Sequence, residues 1–364
     1  MQMNQRLLAL DVFRGMTIFF MIIVNTPGSW NFVYAPLLHA KWDGCTPTDL
    51  VFPFFMFIVG VSMAISYSKF EGVKNEEWIK KAVSRGLKII LIGLLLNWFP
   101  FFTKNIAELR FFGVLQRIGL SFMIAAIMVS FVQKKYLWIM LGAILISYWV
   151  ILLSAGEGAL SLEGNLVRTI DLALFGESHI YTGYGIPFDP EGLLSTLPAI
   201  GTVLLGYIIS KNMMVQADNY KKIQNLLVYG IGCVSLGLIW SYLGFPINKP
   251  IWSSSYVLFT GGLAMMFLAG MIWIIDVLNY KKWTFVFKAF GQNPLVCYAL
   301  SGLIVKTMLL ISIGEQKLYA WLYTSVYQPV FGNYFGSLMF ALSLVMSIWV
   351  IAWLMDRKGI IVKV

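Results

Sequence analysis

Charge is scarce in this chain. Asp, Glu, Lys and Arg make up only 12% of its 364 residues, while 59% are hydrophobic. Soluble domains carry about 25% charged residues and need polar groups to cover their surface. A soluble fold of this length could not bury so much apolar area, but a lipid environment removes that constraint. Cysteine is also rare. Cys45, Cys233 and Cys297 are scattered without a CxxC pair, so neither a disulfide framework nor a cysteine metal site is expected. Histidine occurs twice, at His39 and His179, without the spacing of a metal centre. No GxGxxG, Walker or GxSxG motif is present, which leaves nucleotide-binding and hydrolase folds without support.

What the chain has is long apolar runs. A membrane helix needs about 20 mostly apolar residues. Ten such runs are read, at 10–28, 49–68, 86–103, 112–132, 136–155, 192–210, 225–243, 255–277, 292–313 and 337–355. The expected fold is an all-α integral membrane protein, a bundle of about ten transmembrane helices. Residues 1–364 read as one polytopic domain. Arg6 precedes the first run without a small-residue cleavage site, so that run is expected to act as an uncleaved anchor.

The net charge of +10 does not imply nucleic acid, because the basic residues recur in short clusters between apolar runs. Arg6, Lys69, Lys74, Lys80, Lys81, Arg85, Lys88, Lys134, Lys135, Lys211, Lys221, Lys222, Lys281, Lys282, Lys288, Arg357, Lys358 and Lys363 fall in alternate connections, 18 of the 27 basic residues. The other connections hold six: Lys41, Lys104, Arg110, Arg168, Lys249 and Lys317. Membrane proteins keep their positive loops in the cytoplasm, so both termini are expected there.

Two external connections, 29–48 and 156–191, are too long for plain turns and are expected to be ordered. The second carries Glu157, Glu163, Asp171, Glu177, Asp189 and Glu191 against Arg168 alone. Such a loop offers a field of negative charge on that side. Residues 315–334, with Tyr319, Trp321, Tyr323 and Tyr327, read as an interfacial segment.

Several polar residues stand out against this background. His39 is external and able to act as base or nucleophile. Asn25 ends the first run near the same mouth, as a partner for His39 or a substrate, or as a helix C-cap before Pro27 and Gly28. Thr46, Pro47 and Asp49 fit the N-cap, first and third positions of a capping box, with Asp49 also a candidate catalytic carboxylate. Asp189 and Pro190 suggest a similar start for the sixth span. Asp11 and Arg14 share a face of the first helix and can pair. Arg117 and Lys306 lie inside spans without a same-helix partner, which suggests an anion or a partner on another helix. The "GQNP" at 291–294 is a candidate hinge or cavity lining.

Six blocks then carry a family resemblance. They are "LDVFRGMTIFFMIIVN" (10–25), "HAKWDGCTPTDLVFPFFMFIVG" (39–60), "GVLQRIGL" (113–120), "HIYTGYGIPFDPEGLLSTLPAI" (179–200), "WSSSYVLFT" (252–260) and "GQNPLVCY" (291–298). In this order they resemble the transmembrane acyltransferases of the heparan-α-glucosaminide N-acetyltransferase type. The likeness is to a compact bacterial form, without the lumenal portion and extra span of the lysosomal enzyme. It implies transfer of acetyl from cytoplasmic acetyl-CoA to an amino sugar on the far side, in a bacterial inner membrane. By the same resemblance, the histidine of the HAxW block is catalytic, here His39, and the asparagine ending the first span assists, here Asn25. Candidates for holding CoA are Arg14, Gln116, Arg117, Asn293 and Lys306, with cytoplasmic lysines and arginines. Candidates for the acceptor are Trp42, His179, Asp189 and Glu191. The family's best-known acceptor is polyanionic and suits an acidic loop badly, so a neutral or cationic sugar is expected. No metal is expected, nucleic acid is excluded as a partner, and a homodimer is left open. The competing reading is a transporter or flippase for a sugar or small amphiphile.

Overall fold

A computed structural model describes residues 8–70, 75–102, 105–216 and 218–362. Arg6, Lys74, Lys104 and Lys363 of the charge pattern lie outside the described residues. The helices, in chain order, are α1 (Leu8–Asn25), α2 (Pro47–Tyr67), α3 (Asn75–Trp98), α4 (Val114–Phe131), α5 (Leu137–Leu153), α6 (Leu166–Phe175), α7 (Thr196–Met214), α8 (Asn219–Tyr242) and α9 (Ser254–Ile272). They continue with α10 (Thr284–Gln292), α11 (Pro294–Leu310), α12 (Leu318–Leu322), α13 (Gln328–Phe331) and α14 (Asn333–Arg357). The only strands among the described residues are β1 (Ser312–Ile313) and β2 (Gln316–Lys317), a two-residue hairpin.

Each of the ten apolar runs is helical along most of its length. Among the described residues, eight helices are long and apolar enough to cross a membrane, or nine if α10 and α11, bent by 86° at their junction, make one span. The run read at 86–103 is the exception. It belongs to α3, which starts earlier and carries Glu76, Glu77, Lys80, Lys81, Arg85 and Lys88. Pro100 disfavours helical geometry at Phe99, and α3 stops at Trp98. The GQNP segment is a break: Asn293 leaves helical geometry between α10 and α11.

The chain falls into two compact units, residues 1–40, 46–55 and 270–363 in one and 41–45 and 56–269 in the other. In the first, α1 and α10 touch backbone to backbone. A Cβ on Gly15 would lie 1.7 Å from the Phe287 carbonyl oxygen, and one on Gly291 would lie 1.9 Å from that of Asp11. Small residues allow this approach, which membrane helices use in place of hydrophobic pressure. The chain leaving α1 is tied to α14: Gly28 N–H donates to Ser337 O at 3.1 Å, and Ser29 N–H to Ser337 Oγ at 3.1 Å. The 315–334 segment is built from α12, a π-helical turn at Tyr323–Tyr327 and α13, and Tyr319 donates to Pro27 O at 2.7 Å.

In the second unit, α2 and α7 make the same kind of contact, with Gly60 against Val203 O and Gly206 against Phe57 O. The long 156–191 connection is ordered, as expected: it holds α6, capped by Asn165, and a short 3-10 turn at Glu177–His179. Its core joins Val167 and Phe188 to Tyr148, Leu152, Phe245 and Ile251. The Tyr148 hydroxyl donates to Ile251 O.

Asp189 and Pro190 do not start the sixth span. Helix α7 begins at Thr196, with Ser195 at its N-cap. The Asp189 carboxylate is engaged elsewhere: it accepts the Glu191 N–H at 3.0 Å in a local turn and holds Arg110. Pairing a buried carboxylate with Arg110 outweighs capping a helix end.

Candidate active site

Asp49 organises the mouth of α2. At the third position of the helix, it lies where the helix dipole favours a negative charge. Its Oδ2 accepts the Thr46 N–H at 3.0 Å, which is one half of the capping box read from the spacing; the Asp49 N–H goes to the Thr46 backbone oxygen instead of its hydroxyl. Oδ2 also accepts the Ala40 N–H at 3.0 Å, and Oδ1 lies 2.6 Å from His39 Nδ1. Thr46 Oγ1 donates to Leu38 O at 2.7 Å, and Thr48 Oγ1 to Pro36 O at 3.1 Å. The 36–40 segment is thereby lashed to the first turn of α2, and His39 is held by it.

The Asp49 side chain is 1% exposed and the His39 side chain 47% exposed. A buried carboxylate thus grips one nitrogen of a ring that reaches solvent. With Nδ1–H donated to Asp49, Nε2 carries the lone pair. This is the orientation of a general base or a nucleophile. Asn25 ends α1 with its side chain exposed, and that amide makes no hydrogen bond to a described residue. It is not bonded to His39 and does not cap its helix.

A second polar cluster surrounds Asp189. Arg110 grips it bidentately, Nε to Oδ2 at 2.8 Å and Nη2 to Oδ1 at 2.7 Å, and reaches Glu191 Oε2 at 2.6 Å. Burial pulls the Arg110 guanidinium down, but the bonds and charges of Asp189 and Glu191 outweigh it and hold it above its ordinary value. Tyr181 presents its ring 4.7 Å from the same guanidinium. His179 stacks on Phe111 at 4.1 Å, and its Nδ1 bonds Leu109 O at 2.7 Å. Asp171 is buried, with Oδ1 accepting the Leu193 N–H at 3.0 Å and Oδ2 without a partner. Burial raises its carboxyl to about 7, against the pull of the Leu193 N–H; Asp189 adds to the rise and Arg117 opposes it.

These bonds correct the picture of an acidic external loop. Asp171 and Asp189 are buried, and Arg110, which lies outside the loop, pairs with both Asp189 and Glu191 and offsets one of their two charges. Only Glu157, Glu163 and Glu177 are fully exposed. The field offered to a cationic acceptor is weaker than the residue count suggested. Trp42 is half-buried, donates its indole N–H to Leu160 O at 2.8 Å and packs on Phe188 at 5.5 Å.

The residues expected to hold CoA differ in what they already bind. Arg14 Nη1 donates to Asp11 Oδ1 at 3.3 Å and to Gly291 O at 3.1 Å, so the pair read from their spacing forms. Asn293 is spent on the C-terminal segment, donating to Ile360 O at 2.9 Å and accepting Val362 N–H at 2.8 Å. Lys306 lies in the middle of α11, half-buried. Arg117 is 1% exposed; Nη2 donates to Gly192 O and Ser195 Oγ, and its guanidinium lies 5.0 Å from the Trp252 ring. Its Nε and Nη1, and the neighbouring Gln116 Nε2, have no partner among the described residues.

A comparison with known families decides the kinship. The profile described as "Heparan-alpha-glucosaminide N-acetyltransferase, catalytic" matches residues 6–243. The chain belongs to this family. The family match takes in His39, Asp49, Arg117 and Asp189, and stops short of Asn293 and Lys306. The chain is 28% identical over 354 residues to the heparan-alpha-glucosaminide N-acetyltransferase of Mus musculus and 27% identical to that of Homo sapiens, with 80% of this chain covered in each case. It spans about half the length of these relatives, 53% and 52%. The membership and the apolar helices together make it a multi-pass membrane protein of an acyltransferase family.

Neither the pairing of His39 with Asp49 nor the Arg110 cluster was legible beforehand. Asp49 could be found by its capping position, but nothing in a ten-residue spacing points to His39. Arg110 and Asp189 lie 79 residues apart.

Proposed function

We propose that this protein is a transmembrane N-acetyltransferase that moves acetyl from cytoplasmic acetyl-CoA to a glucosamine-type amine on the extracytoplasmic side. The observation that carries this reading is the 2.6 Å contact between His39 Nδ1 and the buried Asp49 carboxylate. Together with the family membership, it supplies an oriented base.

The reaction forms a bond from the acceptor nitrogen to the acetyl carbon and breaks the carbon–sulfur bond of the thioester. His39 Nε2 takes the proton that the amine loses and returns it to the departing thiolate. Asp49 holds the ring and stabilises the imidazolium formed in between. In a two-step route, the same nitrogen carries the acetyl group. Asn25, with its exposed amide, is assigned as the donor to the developing oxyanion, an effect worth about 3 kcal/mol. Arg117 is the strongest candidate for an anionic part of CoA, because two of its nitrogens are buried without partners. Asn293 and Arg14 are weaker candidates, their donors being already bonded.

The segregation of 18 basic residues supports both termini in the cytoplasm, and the resemblance to a compact bacterial form supports the inner membrane of a bacterium. The test uses the purified protein in liposomes with labelled acetyl-CoA and glucosamine. Label on glucosamine, lost in His39→Ala, is the expected result. Acetylation undiminished in His39→Ala removes the mechanism. Passage of unmodified sugar without acetylation would favour a transporter.

A further inference from the structure

The start of α2 departs from the motif that its sequence spells. In a capping box the Thr hydroxyl oxygen accepts the N–H three residues on. Here that N–H, of Asp49, goes to the Thr46 backbone oxygen at 3.0 Å, so the helix start does not use the hydroxyl. The Thr46 hydroxyl donates instead toward Leu38 O at 2.7 Å and Asp49 Oδ2 at 3.0 Å. A hydroxyl carries one hydrogen, so the two acceptors share it. Two threonines elsewhere show the usual choice, a carbonyl of the preceding helical turn: Thr26 Oγ1 donates to Ile22 O at 2.8 Å and Thr260 Oγ1 to Tyr256 O at 2.7 Å. Thr46 reaches eight residues back, to the carbonyl of the residue before His39.

One hydroxyl is thereby set against both halves of the His39–Asp49 pair. A carboxylate turns on a soft torsion with no sharp preference of its own. Its orientation must come from its donors. Asp49 Oδ2 takes the Ala40 N–H, the Thr46 N–H and the Thr46 hydroxyl, each at 3.0 Å, so two of these three come from Thr46. Oδ1 is left facing His39 Nδ1 at 2.6 Å. The Asp49 side chain is 1% exposed, which gives solvent little access to replace a lost donor. The tie to Leu38 O fixes the backbone that carries the ring.

We infer that Thr46 is a positioning residue for acetyl transfer, its hydroxyl aligning the carboxylate and the peptide between which the His39 ring is held. This rests on the reading of His39 as the base. Thr46 acts through Asp49 and Leu38. In Thr46→Val the two backbone donors to Asp49 remain, as does the bond that starts the helix, so the variant removes the alignment and keeps the fold. Displacing a reacting group by about 1 Å costs about a hundredfold in rate.

The test compares Thr46→Val, Thr46→Ser and Thr48→Val in liposomes. It reads kcat, KM for glucosamine, Tm, and the rate at which diethyl pyrocarbonate modifies His39, with His179 as internal reference by mass spectrometry. Thr46→Val should lose about tenfold to a hundredfold in kcat, with KM changed by less than about threefold. Thr46→Ser, which keeps the hydroxyl, should stay within about threefold of the parent in kcat. Thr48→Val, which cuts only the tie to Pro36 O, should lose less than Thr46→Val. Modification of His39 should slow in Thr46→Val and not in Thr46→Ser. An unchanged kcat in Thr46→Val overturns the role, as does an unchanged rate of His39 modification. A Thr46→Val chain that does not fold also overturns it, because the hydroxyl then serves the fold. An equal loss in Thr48→Val gives the effect to the segment as a whole and overturns it too. If His39→Ala itself keeps full acetylation, the reading of His39 fails, while the modification rate still reports whether Thr46 holds the ring.

Discussion

At the scale of single residues, Asp49 does two jobs with one carboxylate. It closes the N-terminus of α2 and holds His39 from a buried position. The two jobs separate under mutation. Asp49→Asn retains an oxygen for one backbone N–H but loses the charge facing the ring, so kcat for acetyl transfer should fall about tenfold to a thousandfold with a smaller change in KM. His39→Ala should remove at least about a thousandfold of turnover without loss of the folded state, because half of the His39 side chain is exposed. Steady-state kinetics with glucosamine beside a Tm measurement checks both. Asp171 gives a pH signature. Its carboxyl is raised from 3.8 to about 7, so the folded chain binds the proton more tightly than the unfolded one. Its contribution to stability is complete below about pH 4 and is lost as pH rises through about 7, with a slope of up to about 1.4 kcal/mol per pH unit. Asp171→Asn should flatten the dependence of Tm on pH between those limits.

At the scale of elements, backbone proximity and charge pairing hold the helices where side-chain size alone would not. Helices α1 and α10 meet through Gly15 and Gly291. Gly15→Ala would place a methyl group 1.7 Å from Phe287 O, so the helices must part, at a cost of about 1–3 kcal/mol. A lowered Tm for the purified protein is the expected result. The loop before α4 is tied to the loop before α7 by Arg110 and Asp189. Arg110→Ala leaves a fully buried carboxylate without its partner and should destabilise by about 3–5 kcal/mol. Arg110→Lys should recover only part of this, because an ammonium cannot make the bidentate contact. Thermal unfolding of the two variants side by side distinguishes charge from geometry.

At the scale of the whole molecule, the distribution of charge carries the prediction. If the basic clusters mark the cytoplasm, cysteines introduced at Lys221 and at Glu157 should react with impermeant reagent from opposite sides of the membrane. Glu157 should be reached from outside intact cells, and Lys221 only after permeabilisation. Labelling of both from one side would discard the orientation proposed for acetyl transfer. The division of the chain into two units was not visible in the sequence, because contacts rather than composition define it. The helices themselves were visible, because each apolar run must satisfy its own backbone in lipid. Their ends were less so: α7 starts at Thr196 because Asp189 answers to Arg110 instead of to the helix.

The sequence by itself determined that the chain is helical and membrane-embedded, that Asp49 caps α2, that Asp11 and Arg14 pair, and that the chain resembles an acyltransferase family. These follow from local rules: apolar length, capping position, the three-residue repeat of a helix face and ordered motif blocks. Only the tertiary structure decided that Asp49 holds His39, that Asp171 and Asp189 of the long loop are buried, and that Asn293 is bound to the C-terminal segment. The reason is physical. A buried charge takes whichever opposite charge or dipole the fold brings within about 3 Å, and that partner can lie anywhere along the chain.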